Sequence, residues 1–233
     1  MIYAISDLHG YPIEKLKLLL EQAEFGEEDY LYILGDVVDR NGDGGIGILL
    51  WLLEQRNVQL ILGNHEAMLL SCDFVFEDIT EDSLSAMDSE SRELLKNYVL
   101  NGGDVTLKAL QRLPCETRRE ILAFLRGCPL YKTVSAGGKD FLLVHSGLDN
   151  FSKDKQISDY SADELLWAWP ELTDEYYNDL HTVFGHTPTM SYSKKFIGKI
   201  IKTRTWTDID CGAGFGIEPV LLCLDDYSEF TLG

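Results

Sequence analysis

Three stretches share one layout: MIYAISDLHG (residues 1–10), YLYILGDVVDR (30–40) and VQLILGNHE (58–66). In each, a short apolar run is followed at once by a cluster of Gly, Asp, His or Asn. Residues 1–5, 30–34 and 58–62 have the length and content of buried strands. The intervening segments read as helices. Segment 12–23 opens on Pro12, which suits a first helical turn, and carries Ile13, Leu16, Leu19, Leu20 and Ala23 on one face. Segment 47–55 is the second helix. The order strand, helix, strand, helix, strand implies a parallel sheet with crossover helices. In open α/β sheets ligands bind off the carboxyl ends of the strands. Asp7-Leu8-His9-Gly10, Gly35-Asp36-Val37-Val38-Asp39-Arg40 and Gly63-Asn64-His65-Glu66 all fall there.

Beyond residue 66 the pattern becomes helical. Helices are expected at 66–75, 89–100 and 117–125, with a break at Asn101-Gly102-Gly103. The acidic stretch 77–93 is expected to be a solvated loop and helix start. This region, roughly 66–128, is expected to pack beside the sheet as a helical cap within one domain spanning 1–233. Strand signals then return at 130–134, 141–144, 182–184, 199–201, 205–209, 220–224 and 229–232. Their shortness predicts a second sheet with antiparallel or mixed pairing. His145 and His186 directly follow two of these runs, so polar residues again sit at strand ends.

With 233 residues, 45% hydrophobic and 25% charged, the chain has ordinary globular usage and can bury a sizeable core. Its 39 acidic and 20 basic residues give a net charge of −19. That field repels nucleic-acid backbones and anionic membranes, so neither is an expected partner. An anionic substrate would need local positive charge, which bound divalent cations provide. The five cysteines, Cys72, Cys115, Cys128, Cys211 and Cys223, are widely spaced without a CxxC, so reduced thiols and a cytoplasmic location are expected. The apolar start at 1–5 is too short for a secretory signal, and no apolar run reaches membrane-spanning length.

Asp7, His9, Asp36, Asn64, His145 and His186 are candidate metal ligands. Carboxylate, imidazole and amide oxygen together suit Mn²⁺, Fe or Zn²⁺, not a thiolate site. Asp36 has two oxygens and could bridge two ions, which in dinuclear sites lie about 3.5–4 Å apart. Each piece alone is weak, because Asp and Gly favour turns for backbone reasons. Together they carry more weight: four of the five histidines sit in Gly-flanked strand-end clusters. His181 is the exception and is expected to be structural.

The series SDLHG, GDVVDR, GNHE, LVHSG and FGHT resembles the calcineurin-like metallophosphoesterases, specifically the phosphoprotein phosphatase family with its bacterial members. The resemblance runs from residue 1 to about 215, taking in Asp208-Ile209-Asp210-Cys211-Gly212-Ala213, and Asn101-Gly102-Gly103 with Thr106. It implies an α/β fold: a layered sandwich of two mixed β-sheets flanked by helices, with a helical cap region. It implies two divalent ions, Mn²⁺ being expected and Fe or Zn²⁺ the other candidates. Asp7, His9 and Asp36 would hold one ion, and Asp36, Asn64, His145 and His186 the other. His65 would be the general acid, Asp39 would orient it, and Arg40 and Asn64 would bind the substrate. Attack by a metal-bound hydroxide, with no phosphoenzyme, is the implied chemistry.

The chain departs from the family pattern at several points. Ser6 replaces a glycine in the first motif, and HSG stands where HGG is frequent. Asn41 replaces the final glycine of GDxVDRG, and is expected to take the left-handed backbone that glycine would. Trp169, in Leu165-Leu166-Trp167-Ala168-Trp169, stands where many relatives carry a second phosphate-binding arginine. Lys132, Lys194 and Arg204 are candidate substitutes. Trp169 itself is expected to pack, with stacking on an aromatic substrate group as its other use. The leading expectation is a phosphomonoesterase acting on phosphoserine or phosphothreonine proteins or on small phosphoesters. GNHE, in place of the GNHD of several dinucleotide hydrolases, tilts toward it. The alternatives are a dinucleoside polyphosphate hydrolase, such as one acting on diadenosine tetraphosphate, and a binding module that keeps its metals as structure.

Overall fold

The computed structural model describes residues 1–233, with the side chains of 81, 83 and 84 left out of the description. Ten strands form two five-stranded sheets. The first half builds β1 (Ile2–Ile5), α1 (Ile13–Gln22), β2 (Tyr30–Ile33), α2 (Ile46–Leu52) and β3 (Val58–Leu60). β1, β2 and β3 pair in parallel, as the crossover pattern predicts. Next come α3 (Asn64–Ser71), α4 (Glu81–Ala86), α5 (Ser89–Tyr98), α6 (Asp104–Leu110) and α7 (Cys115–Arg126). The rest holds β4 (Tyr131–Ala136), β5 (Lys139–Val144), α8 (Ala162–Leu166), β6 (His181–Phe184), β7 (Ile201–Lys202), β8 (Trp206–Asp208), β9 (Leu221–Cys223) and β10 (Glu229–Phe230).

The strand order is β10-β9-β1-β2-β3 in one sheet and β4-β5-β6-β8-β7 in the other. Both are mixed: β5, β6 and β8 run parallel, while β4 and β7 are antiparallel edges. The period-two alternation of strands sorts their side chains into layers. Tyr3, Ile5, Leu31 and Ile33 face the helices, whereas Ala4, Tyr32 and Leu34 meet Phe141, Leu143 and Val183 between the sheets. Leu142, Val144, Phe184 and Trp206 cover the outer face of the second sheet with Leu165, Tyr160 and Tyr176. Each such Leu or Ile taken from water contributes about 1.5–3 kcal/mol. The helices of 66–128 share the first sheet's core through Leu69, Tyr98, Leu110, Ile121 and Leu125.

Several expectations change. The last two strands do not join the second sheet: β9 lies antiparallel against β1, and β10 against β9. A helix, α4, occupies part of the acidic stretch read as loop, and α6 and α8 were not foreseen. Glu77 and Asp78 are exposed, as expected of the acidic stretch, and pair with Arg119 and with the buried Arg118. The break at Asn101-Gly102-Gly103 is present, with Gly102 at φ 98° inside a π-turn (Val99–Gly103). No helix among the described residues is long and apolar enough to cross a membrane, and all five cysteines are free.

Candidate metal centre

The carboxyl ends of β1, β2 and β3 deliver Asp7, Asp36 and Asn64; those of β5 and β6 deliver His145 and His186. The loop after β2 is the hub. Its Asp36 Oδ2 lies 3.6 Å from His9 Nε2 and 3.9 Å from His65 Nε2, and its Oδ1 lies 3.4 Å from His145 Nε2. Two groups of three ligand atoms result, His9–Asp36–His65 and Asp36–His145–His186, each within 4.8 Å, with Asp36 in both. Asn64 Oδ1 belongs with the second group, 2.7 Å from His145 Nε2 and 2.9 Å from His186 Nδ1. Asp7 is in neither group; its Oδ2 accepts from the His186 backbone N–H at 2.9 Å.

The proton inventory bears on whether cations fit. His145 Nδ1 is 2.7 Å from the Leu34 carbonyl and His9 Nδ1 is 3.0 Å from the Val38 carbonyl, so each Nδ1 carries the proton. Burial lowers the pKa of both rings, that of His9 to about 3, which keeps them neutral. His145 Nε2 therefore points a lone pair at Asn64 Oδ1 and Asp36 Oδ1, with no hydrogen between three acceptors. His186, also held neutral by burial with a pKa of about 3, leaves Nε2 buried without a hydrogen-bond partner. Converging lone pairs, neutral imidazoles and, for His9 and His145, a backbone carbonyl on the far nitrogen are what divalent metal ligation requires. The carboxylates agree. Burial, then the charges of Asp210 and Asp36, push Asp7 well above its usual value. Burial also acts to raise Asp36, but His145 and His65 act against it and its pKa is lowered overall; His65 is the one ring of the four whose own pKa is raised.

Beside this centre runs a second chain of contacts. His65 Nδ1 donates to Asp39 Oδ2 at 2.7 Å, while Arg40 Nη2 is 3.1 Å from His65 Nε2. Burial works against a charged His65, yet the Asp36 charge and the Asp39 hydrogen bond raise its pKa overall. Asp39 is fully buried, and its Oδ1 accepts from Tyr98 at 2.5 Å and from Thr106 at 2.6 Å. Tyr98 escaped the sequence reading, and Thr106 entered it only as part of a resemblance. A hydroxyl donor far along the chain gives no local signal of the carboxylate it will meet.

The loops are held in an unusual backbone. Asp7, His9, Asp36, Asp39, Arg40 and His186 all have positive φ. Left-handed geometry costs a non-glycine residue roughly 1–2 kcal/mol, and such residues cluster at functional sites. Glu66 offsets part of that cost. Its two oxygens accept from the backbone N–H groups of Asp36, Val37, Val38 and Gly63 at 2.8–3.1 Å. Glu66→Gln would set an amide nitrogen against some of those donors. It is expected to lower stability by about 2–4 kcal/mol, the cost of orphaning one or two buried donors. A shift in the urea midpoint measures it; an unchanged midpoint would remove Glu66 as the support of this loop.

Asn41 does not take the left-handed role expected of it; Asp39, Arg40 and Gly42 do. Its Nδ2 instead donates to the Ala213 and Gly214 carbonyls at 3.4 and 3.3 Å, tying the loop to a 3₁₀ turn (Ala213–Phe215). Trp169 does not pack: it is 63% exposed, with its ring 6.0 Å from that of His186. Arg204 is engaged by Glu175 and Asn178, and Lys132 and Lys194 are exposed. Among the described residues Arg40 is the only Lys or Arg hydrogen-bonded to the residues of this site. His181 bonds Thr207 instead of joining it.

Several known proteins are similar to this chain. A bis(5'-nucleosyl)-tetraphosphatase, symmetrical, of Acidovorax sp. (strain JS42) is 24% identical over 194 residues, 81% of this chain and 58% of its own. The chain thus spans little more than half of that relative's length. The Buchnera aphidicola (strain Tuc7) protein of the same name is 38% identical over 94 residues, 37% of this chain and 34% of its own. Among solved structures, one whose assignment as a diadenosine tetraphosphatase is itself provisional superposes with a TM-score of 0.64 at 18% identity, covering 99% of this chain and 92% of that one. A Saccharomyces cerevisiae protein serine/threonine phosphatase gives 0.53 at 16% identity, covering 94% and 71%. These two share the fold of two mixed sheets with helices. The sequence model of the calcineurin-like phosphoesterases matches residues 1–205, the span that carries every strand-end cluster described above. On that match the chain belongs to the calcineurin-like phosphoesterase family.

Proposed function

We propose that this chain is a two-metal phosphoesterase whose substrate is a dinucleoside polyphosphate. The observation that carries the two-metal reading is the convergence of unprotonated imidazole nitrogens and Asp36 oxygens on two adjacent positions. His9 and Asp36, with Asp7 added on the motif resemblance, are assigned to one ion; Asp36, Asn64, His145 and His186 are assigned to the other. The ions supply a nucleophile at neutral pH and positive charge for the phosphoryl oxygens.

The remaining residues do the proton and anion work. Arg40 presents a planar fork suited to two phosphoryl oxygens. While its Nη2 donates to His65 Nε2, that nitrogen must hold a lone pair. A phosphate in the site draws the guanidinium onto its own oxygens and frees Nε2 to take a proton. Asp39, fixed by Tyr98 and Thr106, keeps His65 Nδ1 protonated and favours the imidazolium. His65 then protonates the leaving oxygen. Symmetrical cleavage of diadenosine tetraphosphate adds one water, breaks the central P–O bond and leaves two nucleoside diphosphates.

The names of the relatives support the nucleotide substrate. The protein phosphatase reading stands second, supported by the motif resemblance and a fold neighbour. The Glu of GNHE does not decide between them, because Glu66 faces the loop backbone and not the reaction. The test is metal-stripped chain assayed on p-nitrophenyl phosphate and diadenosine tetraphosphate, with and without Mn²⁺. Metal-dependent turnover with preference for the dinucleotide is expected. Turnover of the aryl phosphate alone would overturn the substrate, and no turnover with Mn²⁺, Fe²⁺ or Zn²⁺ would overturn the activity.

A further inference from the structure

Four aromatic side chains are exposed among the described residues, and three of them border the metal centre. Trp167 and Trp169, 46% and 63% exposed, set their rings 5.9 and 6.0 Å from the His186 ring. Phe215, 61% exposed, lies 5.6 Å from the Arg40 guanidinium carbon. The two sets flank different ligand groups, Phe215 and its turn the side of Arg40 and His9, the tryptophans the side of His186. From Phe215 the contacts run through Arg40, His65, Asp36 and His145 to His186 and the tryptophans. Leaving three large rings in water forgoes the burial that normally stabilises them.

The segments bearing these rings are anchored. Ser146, buried in the HSG motif, donates to the Leu165 carbonyl at 2.8 Å and accepts from the Ala168 N–H at 3.0 Å. This fixes Trp167 and Trp169 on either side of the buried Ala168. A glycine at 146 could make neither hydroxyl bond. On the other side Asn41 holds the turn of Phe215. Ser146, Asn41 and Trp169 are three of the positions where the sequence departs from the family pattern, and all three serve the aromatic rims.

We infer that Trp167 and Trp169 at one end, and Phe215 at the other, are stacking platforms for the two nucleobases of a dinucleoside polyphosphate, with the phosphate chain crossing the metal centre between them. This rests on the phosphoesterase reading given above. An aromatic ring at the position of a second phosphate-binding arginine exchanges anion grip for base grip. That exchange suits a ligand with a base at each end better than a seryl or threonyl phosphate, which offers no ring. Base–aromatic stacking tolerates any base, so the platforms select for a nucleoside and not for its identity.

The experiment is calorimetric titration of the metal-loaded chain with ADP and with inorganic pyrophosphate, which differ by the nucleoside. The wild type is expected to prefer ADP. ADP has one base and can use either platform, so the combined variant Trp167→Ala/Trp169→Ala/Phe215→Ala should shrink that preference about 5- to 100-fold, the range of one lost stack. Restoring aromatic rings, with Trp169→Phe and the native Phe215, should recover most of it. Equal affinity for the two ligands in the wild type, or an unchanged ratio in the combined variant, overturns the platforms. An ADP preference that vanishes in the combined variant, in a chain that leaves diadenosine tetraphosphate intact, supports them and sinks the substrate reading separately.

Discussion

Asp36→Asn is expected to reduce metal-dependent hydrolysis by at least about a thousandfold and to lower the bound metal from about two ions per chain to less than one. The carboxylate is the one group shared by both sets of ligand atoms. The amide keeps the shape but loses the charge, and turns an N–H₂ toward His9 or His145, whose facing nitrogens carry no proton. One ion position then loses an anionic ligand and the other gains a donor. Elemental analysis of the purified variant measures metal content apart from activity. Two ions retained per chain would end the bridging role of Asp36, however low the turnover.

His65→Asn is expected to keep both ions and to lose about 10²–10⁴ in kcat for a substrate with an alkoxide leaving group. The loss should shrink as the leaving group improves. A phenolate such as p-nitrophenolate needs little help, and a departing nucleoside diphosphate needs less than an alkoxide. The size of the effect on diadenosine tetraphosphate relative to a seryl phosphate therefore reports on the acid itself. An equal loss on all three substrates would mean that His65 positions Arg40 instead of delivering a proton. The structure permits that outcome because the two side chains are in contact.

The sequence was most legible where chemistry coincides with local pattern. Asp7, His9, Asp36, Asn64, His145 and His186 each follow an apolar run, so topology alone carries them to one edge. His65, Asp39 and Arg40 come with the same loops. Less legible were residues that act through folding. Tyr98 reaches Asp39 across 59 positions of chain, and Phe215 reaches Arg40 from a turn with no motif chemistry of its own. Glu66 was visible, yet it was weighed as a mark of substrate, while its carboxylate in fact braces backbone. Asn41 is legible only as a residue that tolerates the turn, and its side-chain hold on the Ala213 and Gly214 carbonyls is not. The partners of β9 and β10 were misjudged because a three-residue apolar strand carries no information about which sheet will take it.

That last pairing has a consequence for the birth of the protein. β1 is an interior strand, with β2 on one side and β9 on the other. The β2 side cannot close before residues 30–33 are made, and the β9 side cannot close before residues 221–223 are made. Until β9 is available the nascent chain therefore exposes a strand edge able to recruit a foreign strand. Asp7, the first candidate ligand made, rides at the end of that strand. Its surroundings include His186 and Asp210, so the centre is complete only after residues far along the chain have been added.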